Sequence, residues 1–340
     1  MKKSVSSKKI IVRFLSLSFF LLSFLLSHAQ PSTEEDRLTN NLSLGSDLPP
    51  GLLGGRSLVF YEPGYTITEL QEAQKYFQQA GIDAINYLDI DYVLAGPDPS
   101  RTFFNYFNSR DIKFLILLQK TDKEYQCIIT EYSGTMEFGD KAHRSWKQSH
   151  ASFVELLRTI YRFAISTQKK ANYLINDVPE IGFDLRFFRE EPAQRFSNDV
   201  RTFKCAIPRW ANERDDKEFE ALVKEKFPQK CELVDPTLTD AELADKGYRL
   251  VLRFVHTRGD AAREILGYDV TQTASSLLTS YFVNGELKAK TVPSKKIIYK
   301  FYFKNTEYGN IFLGNKWDAD ETWQDALRNH IIGLRSELKF

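Results

Sequence analysis

The chain has 340 residues, 46 of them Lys or Arg and 45 Asp or Glu, with 42% apolar and 14% aromatic residues. That apolar content excludes a disordered or collagen-like polymer. The near-neutral balance argues against a nucleic-acid-binding chain, and the length fits one large domain or two ordinary ones.

The amino terminus reads as a secretory signal over 1–29. Lys2, Lys3, Lys8, Lys9 and Arg13 give a positive start, Phe14 to Leu26 an apolar run, and Ser27-His28-Ala29 a small-x-small cleavage site that leaves Gln30 as the new terminus. As a membrane anchor the run is poor. Ile10 to Leu26 spans 17 residues and is broken by Arg13 and three serines, whereas a span needs about 20 apolar residues. No Cys follows it, so no lipid anchor is expected. Removing 1–29 takes away five basic and no acidic residues, leaving a net charge of about −4. Such a surface offers no net attraction for nucleic acid or anionic lipid. Cys127, Cys205 and Cys231 each lie in apolar, strand-like surroundings and read as small buried hydrophobes; a Cys205–Cys231 bridge stays open, because spacing decides nothing.

Residues 30–55, polar and then Pro/Gly-rich, read as a flexible leader. Two similar passages follow, over 56–165 and 201–340, joined by a connector at 166–200. In the first, Ser57–Pro63 is an apolar strand. Thr66-x-x-Glu69 is a capping box, opening a helix with Leu70, Ala73, Phe77 and Ala80 on one stripe. Ala84–Val93 reads as the next strand, Asp98-Pro99 as the start of a second helical stretch, and Arg110–Leu118 as a third strand. The second passage repeats the order with Thr202–Pro208, Phe219–Phe227, Cys231–Val234, Asp235-Pro236 and Lys246–Phe254. Each then takes on a two-residue period. The first has Glu124–Ser133; the second has Glu264–Val270, Ser280–Leu287 with an Asn284-Gly285 turn, and Lys296–Phe303. Each closes on a helix, Ser152–Ile160 aligning without gaps to Thr322–His330, with Arg158 matching Arg328. The expected fold is α+β: two tandem similar domains, each a mixed sheet with a β-α-β-α-β start and an antiparallel meander, closed by a carboxyl-terminal helix and covered by helices on one face. Ile181–Phe188 in the connector offers one further strand.

This order of elements, in both passages, resembles the small anticodon-binding-like α/β domains of envelope proteins. The resemblance carries no diagnostic motif and transfers no functional residue. It implies a periplasmic assembly or docking module.

The motifs of chemistry are thin. No Gly-x-x-x-x-Gly-Lys-Ser/Thr or Gly-x-Ser-x-Gly occurs, and Gly51, Gly54 and Gly55 precede a strand instead of following one. No Cys-x-x-Cys is present. His143 and His150 read as part of a solvated connector, although on a helix they would share a face and could begin a zinc site. Asp318-x-x-Glu321 reads as the cap of the last helix in preference to a calcium loop, and His330 as a helix-flank residue. Asp89 and Asp91, two apart in a strand beside Tyr87, would face one side and could do acid–base work if one pKa were raised; they equally fit a solvent face. The aromatic clusters Phe103-Phe104-x-Tyr106-Phe107, Phe187-Phe188 and Tyr299-x-Phe301-Tyr302-Phe303 read as core, with surplus rings available to a partner.

The sequence therefore supports an exported, non-catalytic binding or scaffold protein of the bacterial cell envelope, with an envelope protein as partner. No catalytic set, metal site or cofactor is expected. A secreted hydrolase using Asp89/Asp91 or the His143/His150 region, and a surface glycan-binding or adhesion protein, are the alternatives.

Overall fold

The computed structural model describes residues 38–183, 185–188, 190–209, 213–227, 230–269, 275–283 and 286–339. The expected signal at 1–29 and the Asn284-Gly285 turn lie outside these. Residues 41–340 group as one unit.

In chain order, the first part contains β1 (Ser43–Gly45), β2 (Arg56–Tyr61), α1 (Ile67–Ala80), β3 (Asp83–Asp89), α2 (Ile90–Val93), α3 (Pro97–Ser109), β4 (Ile112–Lys120), β5 (Tyr125–Glu131), β6 (Arg144–His150), α4 (Phe153–Thr167) and β7 (Glu180–Ile181). The strands form a seven-stranded sheet in the order β1-β6-β5-β4-β2-β3-β7. β2 lies parallel to both β3 and β4, and β5 is antiparallel to β4 and β6. The Thr66 capping box is present in full: its hydroxyl accepts from the Glu69 amide at 3.2 Å, and the Glu69 carboxylate accepts from the Thr66 amide at 2.7 Å.

The remainder contains α5 (Asp199–Thr202), β8 (Lys204–Pro208), α6 (Glu213–Lys226), β9 (Cys231–Val234), α7 (Asp240–Asp245), β10 (Tyr248–Arg258), α8 (Gly259–Ile265), β11 (Ser276–Val283), β12 (Glu286–Pro293), β13 (Ile297–Asn305), β14 (Ile311–Phe312) and α9 (Trp323–Leu338). A five-stranded sheet runs β14-β13-β10-β8-β9, and β11 pairs with β12 as a separate ribbon. β8 is parallel to β9 and β10, and β13 is antiparallel to β10. The class is α+β, with mixed sheets.

Helices cover both faces of each sheet, not one. Val59, Ile116 and Leu118 pack with Leu70 and Phe77 of α1 and Leu157 of α4, while Phe60, one residue along the pleat, meets Phe107 of α3 at 5.8 Å between ring centroids. In the second sheet Leu250 and Leu252 face α9 and α6, and Val251 faces Leu243 of α7. The unbroken apolar runs of β2 and β4 require this, because a strand with one wet face alternates. Phe103, Phe107, Phe188, Phe301, Tyr302 and Phe303 are all buried, so the main aromatic clusters are core.

Three expected strands differ. Ala84–Val93 ends at Asp89, whose carboxylate accepts the Asp91 amide at 2.9 Å and starts α2; a side chain that caps competes with the ladder. Glu264–Val270 begins inside α8, where Ala261, Ala262 and Ile265 are buried at helical spacing. Among the described residues of Ile181–Phe188, only Ile181 joins the sheet, opposite Tyr87.

All three cysteines are free; Cys127 and Cys205 are buried, and Cys205 sits opposite Cys231 in register between β8 and β9. Burial pushes the Cys127 and Cys205 thiols up, and at Cys205 the neighbouring Cys231 adds to the rise. Reduced native protein should therefore expose at most the Cys231 thiol to an aromatic disulfide reagent, with all three reacting in denaturant. Rapid native reaction of two or more thiols would contradict this packing.

Candidate functional site

The strand order of the first sheet reverses at β2, which has β4 on one side and β3 on the other. In open α/β sheets the carboxyl edge at such a point is the common place for a ligand. Here that edge carries Tyr61 and Glu62 at the end of β2, Asp89 and Asp91 at the end of β3, and Gln119 and Lys120 at the end of β4. Glu62 accepts from the Lys120 amide at 2.8 Å and from the Gln119 side chain at 3.1 Å. Lys120 reaches Glu69 at 3.1 Å and lies over the Tyr65 and Tyr125 rings. Protein groups thus fill the β2–β4 side of the edge.

The β3 side meets the second sheet. Arg258, at the end of β10, donates to Asp89 Oδ2 at 2.7 Å and to Asp91, and lies 3.5 Å from Asp260 Oδ1. Asp260 in turn holds Lys295 at 2.6 Å. The Thr257 hydroxyl donates to the Asp91 carbonyl, and the Tyr92 hydroxyl to Glu264. Arg258 is only 12% exposed, Asp89 16% and Asp91 21%. Burial pushes the Asp89 carboxyl up to about 6, with the Asp91 and Asp260 carboxylates adding to the rise and Arg258 opposing it. Asp89 and Asp91 are therefore brought together, but around a guanidinium that occupies them. The signal missed in the sequence is Arg258, whose partners lie 167 and 169 residues away.

Further along the same seam, His256 donates its amide to the Ala95 carbonyl at 2.7 Å. Gly96 adopts φ +141° with its Cα so close to β10 that a Cβ would lie 2.5 Å from the Phe254 carbonyl oxygen. Asp98 accepts from the Tyr302 hydroxyl and from Lys304, each at 2.7 Å. Lys304 also reaches Asp240 at 2.9 Å, and Asp240 takes Arg253 at 2.7 Å. Lys304 and Arg253 hold the Asp240 carboxyl below its usual range against the effect of burial.

A third polar cluster is sealed beneath β13 and α9. Lys300, with no exposed surface, donates to the Leu313 carbonyl at 2.7 Å and the Phe301 carbonyl at 3.0 Å, and its ammonium forms an ion pair with Asp318 Oδ1 at 2.7 Å. His330 Nδ1 meets Asp318 Oδ2 at 3.0 Å, while its Nε2 is buried with no hydrogen-bond partner among the described residues. Asp318 is thus a core anion and not the cap of the last helix. Thr322 is that cap, accepting the Asp325 amide at 3.2 Å.

His143 and His150 lie on or beside strand β6, not on a helix. His143 Nε2 is 3.5 Å from Glu131, and His150 Nδ1 accepts the Ser152 amide at 3.0 Å. Among the described residues no group of three or more His, Cys, Asp or Glu side chains is placed to hold a metal ion. No known protein family matches the sequence, and no curated protein matches it.

Proposed function

We propose that the protein is a non-catalytic binding or scaffold protein of the bacterial cell envelope, exported by residues 1–29 and built from two copies of one α/β module. The observation that carries this reading is the Arg258 clamp: the carboxylate pair best suited to acid–base work is spent in tying β3 to β10. A general acid or base must reach a substrate proton, and a side chain forked onto a guanidinium is poorly placed to do so. Support for duplication comes from the matching orders β5-β4-β2-β3 and β13-β10-β8-β9, with the same parallel and antiparallel senses. Each order also ends its chain segment on a helix, α4 or α9. Fold analogy alone is a weak warrant for function, so the partner is the decisive quantity.

Expression with a carboxyl-terminal tag should give a product starting at Gln30 in the exported fraction, and in-cell cross-linking should capture one specific envelope protein. An Asp91→Asn variant should keep that partner. A cytosolic, unprocessed product, or hydrolytic activity lost in Asp91→Asn at unchanged stability, would refute the reading.

A further inference from the structure

The net charge of the chain conceals a local asymmetry. From Leu156 to Asn176 there is no acidic residue among 21 positions, and four are basic: Arg158, Arg162, Lys169 and Lys170. Arg158 pairs with Glu155 at the start of the run. Arg162, Lys169 and Lys170 are exposed, and no ion pair reaches any of the three among the described residues. The first acids beyond the run are engaged, Asp177 by Gln78 and Glu180 by Arg110.

The same stretch exposes large apolar side chains. Tyr173 is 85% and Leu174 93% exposed, and Ile165, on the outward stripe of α4, is 50% exposed. These tips are not on a loose tail. The Ala171 and Asn172 amides donate to the Leu53 carbonyl at 2.8 and 2.7 Å, and the Asn172 side chain donates to the carbonyls of Gly55 and Gly81 at 3.3 and 3.0 Å. On the far side, the buried Gln74 side chain donates to the Asn176 carbonyl at 2.8 Å. Tyr173 and Leu174 are held out between two pinned asparagines, across the carboxyl end of α1.

We infer that this strap docks on an anionic lipid surface, Tyr173 and Leu174 entering the headgroup boundary and Arg162, Lys169 and Lys170 facing the lipid phosphates. The chemistry favours lipid over an acidic protein. A tyrosine beside an aliphatic chain suits a membrane interface, and an unopposed basic run supplies the attraction that one apolar insertion lacks. This goes beyond the scaffold reading and does not depend on it.

The test uses the chain without residues 1–29, whose own apolar run would bind lipid, and it retains the whole of the 41–340 unit. Sedimentation with vesicles of phosphatidylglycerol and phosphatidylcholine is compared with phosphatidylcholine alone. We expect binding to the anionic vesicles only, weakened by added salt. Tyr173→Ser with Leu174→Ser should lower it by about tenfold or more, and Lys169→Glu with Lys170→Glu should abolish it. Neither pair should shift the melting temperature, because the replaced groups are exposed. No binding to anionic vesicles, equal binding to both vesicle types, or unchanged binding by the serine pair would overturn the inference; capture of an acidic protein without lipid binding would assign the strap to that partner.

Discussion

Replacing Asp318 with Ala should cost about 3–5 kcal/mol, the range for removing one partner of a buried ion pair. Lys300 and Asp318 are held 2.7 Å apart with 0% and 6% of their side chains exposed, so no water is at hand to take over. With Asp318 gone, the ammonium keeps only the Leu313 and Phe301 carbonyls, and its most economical response is to lose its proton. Burial already pulls Lys300 down, and Asp318 is what opposes that pull. Lys300→Met combined with Asp318→Leu removes both charges and should recover most of the loss, since well-packed apolar replacements of buried pairs are often neutral. Chemical denaturation measures both. A loss under about 1 kcal/mol for Asp318→Ala would mean that the cluster is hydrated.

The same cluster sets an acid dependence. Burial holds His330 below its ordinary value, and Asp318 only partly offsets this. With Nδ1–H donated to Asp318, the buried Nε2 is a bare acceptor among Phe196, Phe301 and Phe303. A proton there would need a partner the core does not supply. The unfolded chain takes up this proton near 6.5, and the folded chain only at lower pH. The histidine's contribution is therefore present above about 6.5 and lost as pH falls. Asp318, held below its usual range by Lys300 and His330, acts in the same direction at lower pH. His330→Gln keeps an N–H for Asp318, cannot titrate, and should flatten the upper part of this decline.

Much of the scaffold is legible because its signals are local. The capping box at Thr66, the apolar runs of β2 and β4, and the stripes of α4 and α9 each lie within one element, and each forms as spacing dictates. The errors arise where one local pattern serves two structures. Asp89-Ile-Asp-Tyr-Val alternates like a strand, yet an Asp able to take the amide two residues on also starts a helix, and here it does. Asp318-x-x-Glu321 matches a capping box, but Thr322-x-x-Asp325 offers a second cap one turn later and frees Asp318 for the core. The polar run Arg144–His150 carries no strand signal of its own; it is a strand because β5 and the short β1 pair with its two edges. The pairing of Asp89 and Asp91 with Arg258, and of Lys300 with Asp318 and His330, is long-range, and no periodicity encodes it. A lysine inside the aromatic run of β13 and an arginine ending the apolar β10 are the nearest thing to a warning, since a charge in such a strand must find a partner.

Arg258→Ala should be the most damaging change at the seam, with a loss of about 3 kcal/mol. It strands Asp89 and Asp91, while Asp260, the third carboxylate that the guanidinium reaches, keeps Lys295. A double-mutant cycle separates this from lost packing. In an Asp89→Asn, Asp91→Asn background the same truncation should cost less by about 1–3 kcal/mol, because the neutral amides no longer repel one another. The pH dependence gives a second, independent reading. Asp89 titrates at about 6 in the fold and near 3.9 unfolded, so the folded chain holds the extra proton across that window. Stability from this group is present at low pH and falls as pH rises, with a slope of at most about 1.4 kcal/mol per pH unit. Losing Arg258 moves Asp89 further up and carries the decline towards neutrality, whereas Asp89→Asn abolishes it. This slope is opposite in sign to that of His330, so the two variants should tilt the stability–pH curve in opposite directions. An Arg258→Ala protein as stable as the parent, with an unchanged curve, would mean that the carboxylates are solvated and free, and the acid–base reading of Asp89 and Asp91 would then regain its footing.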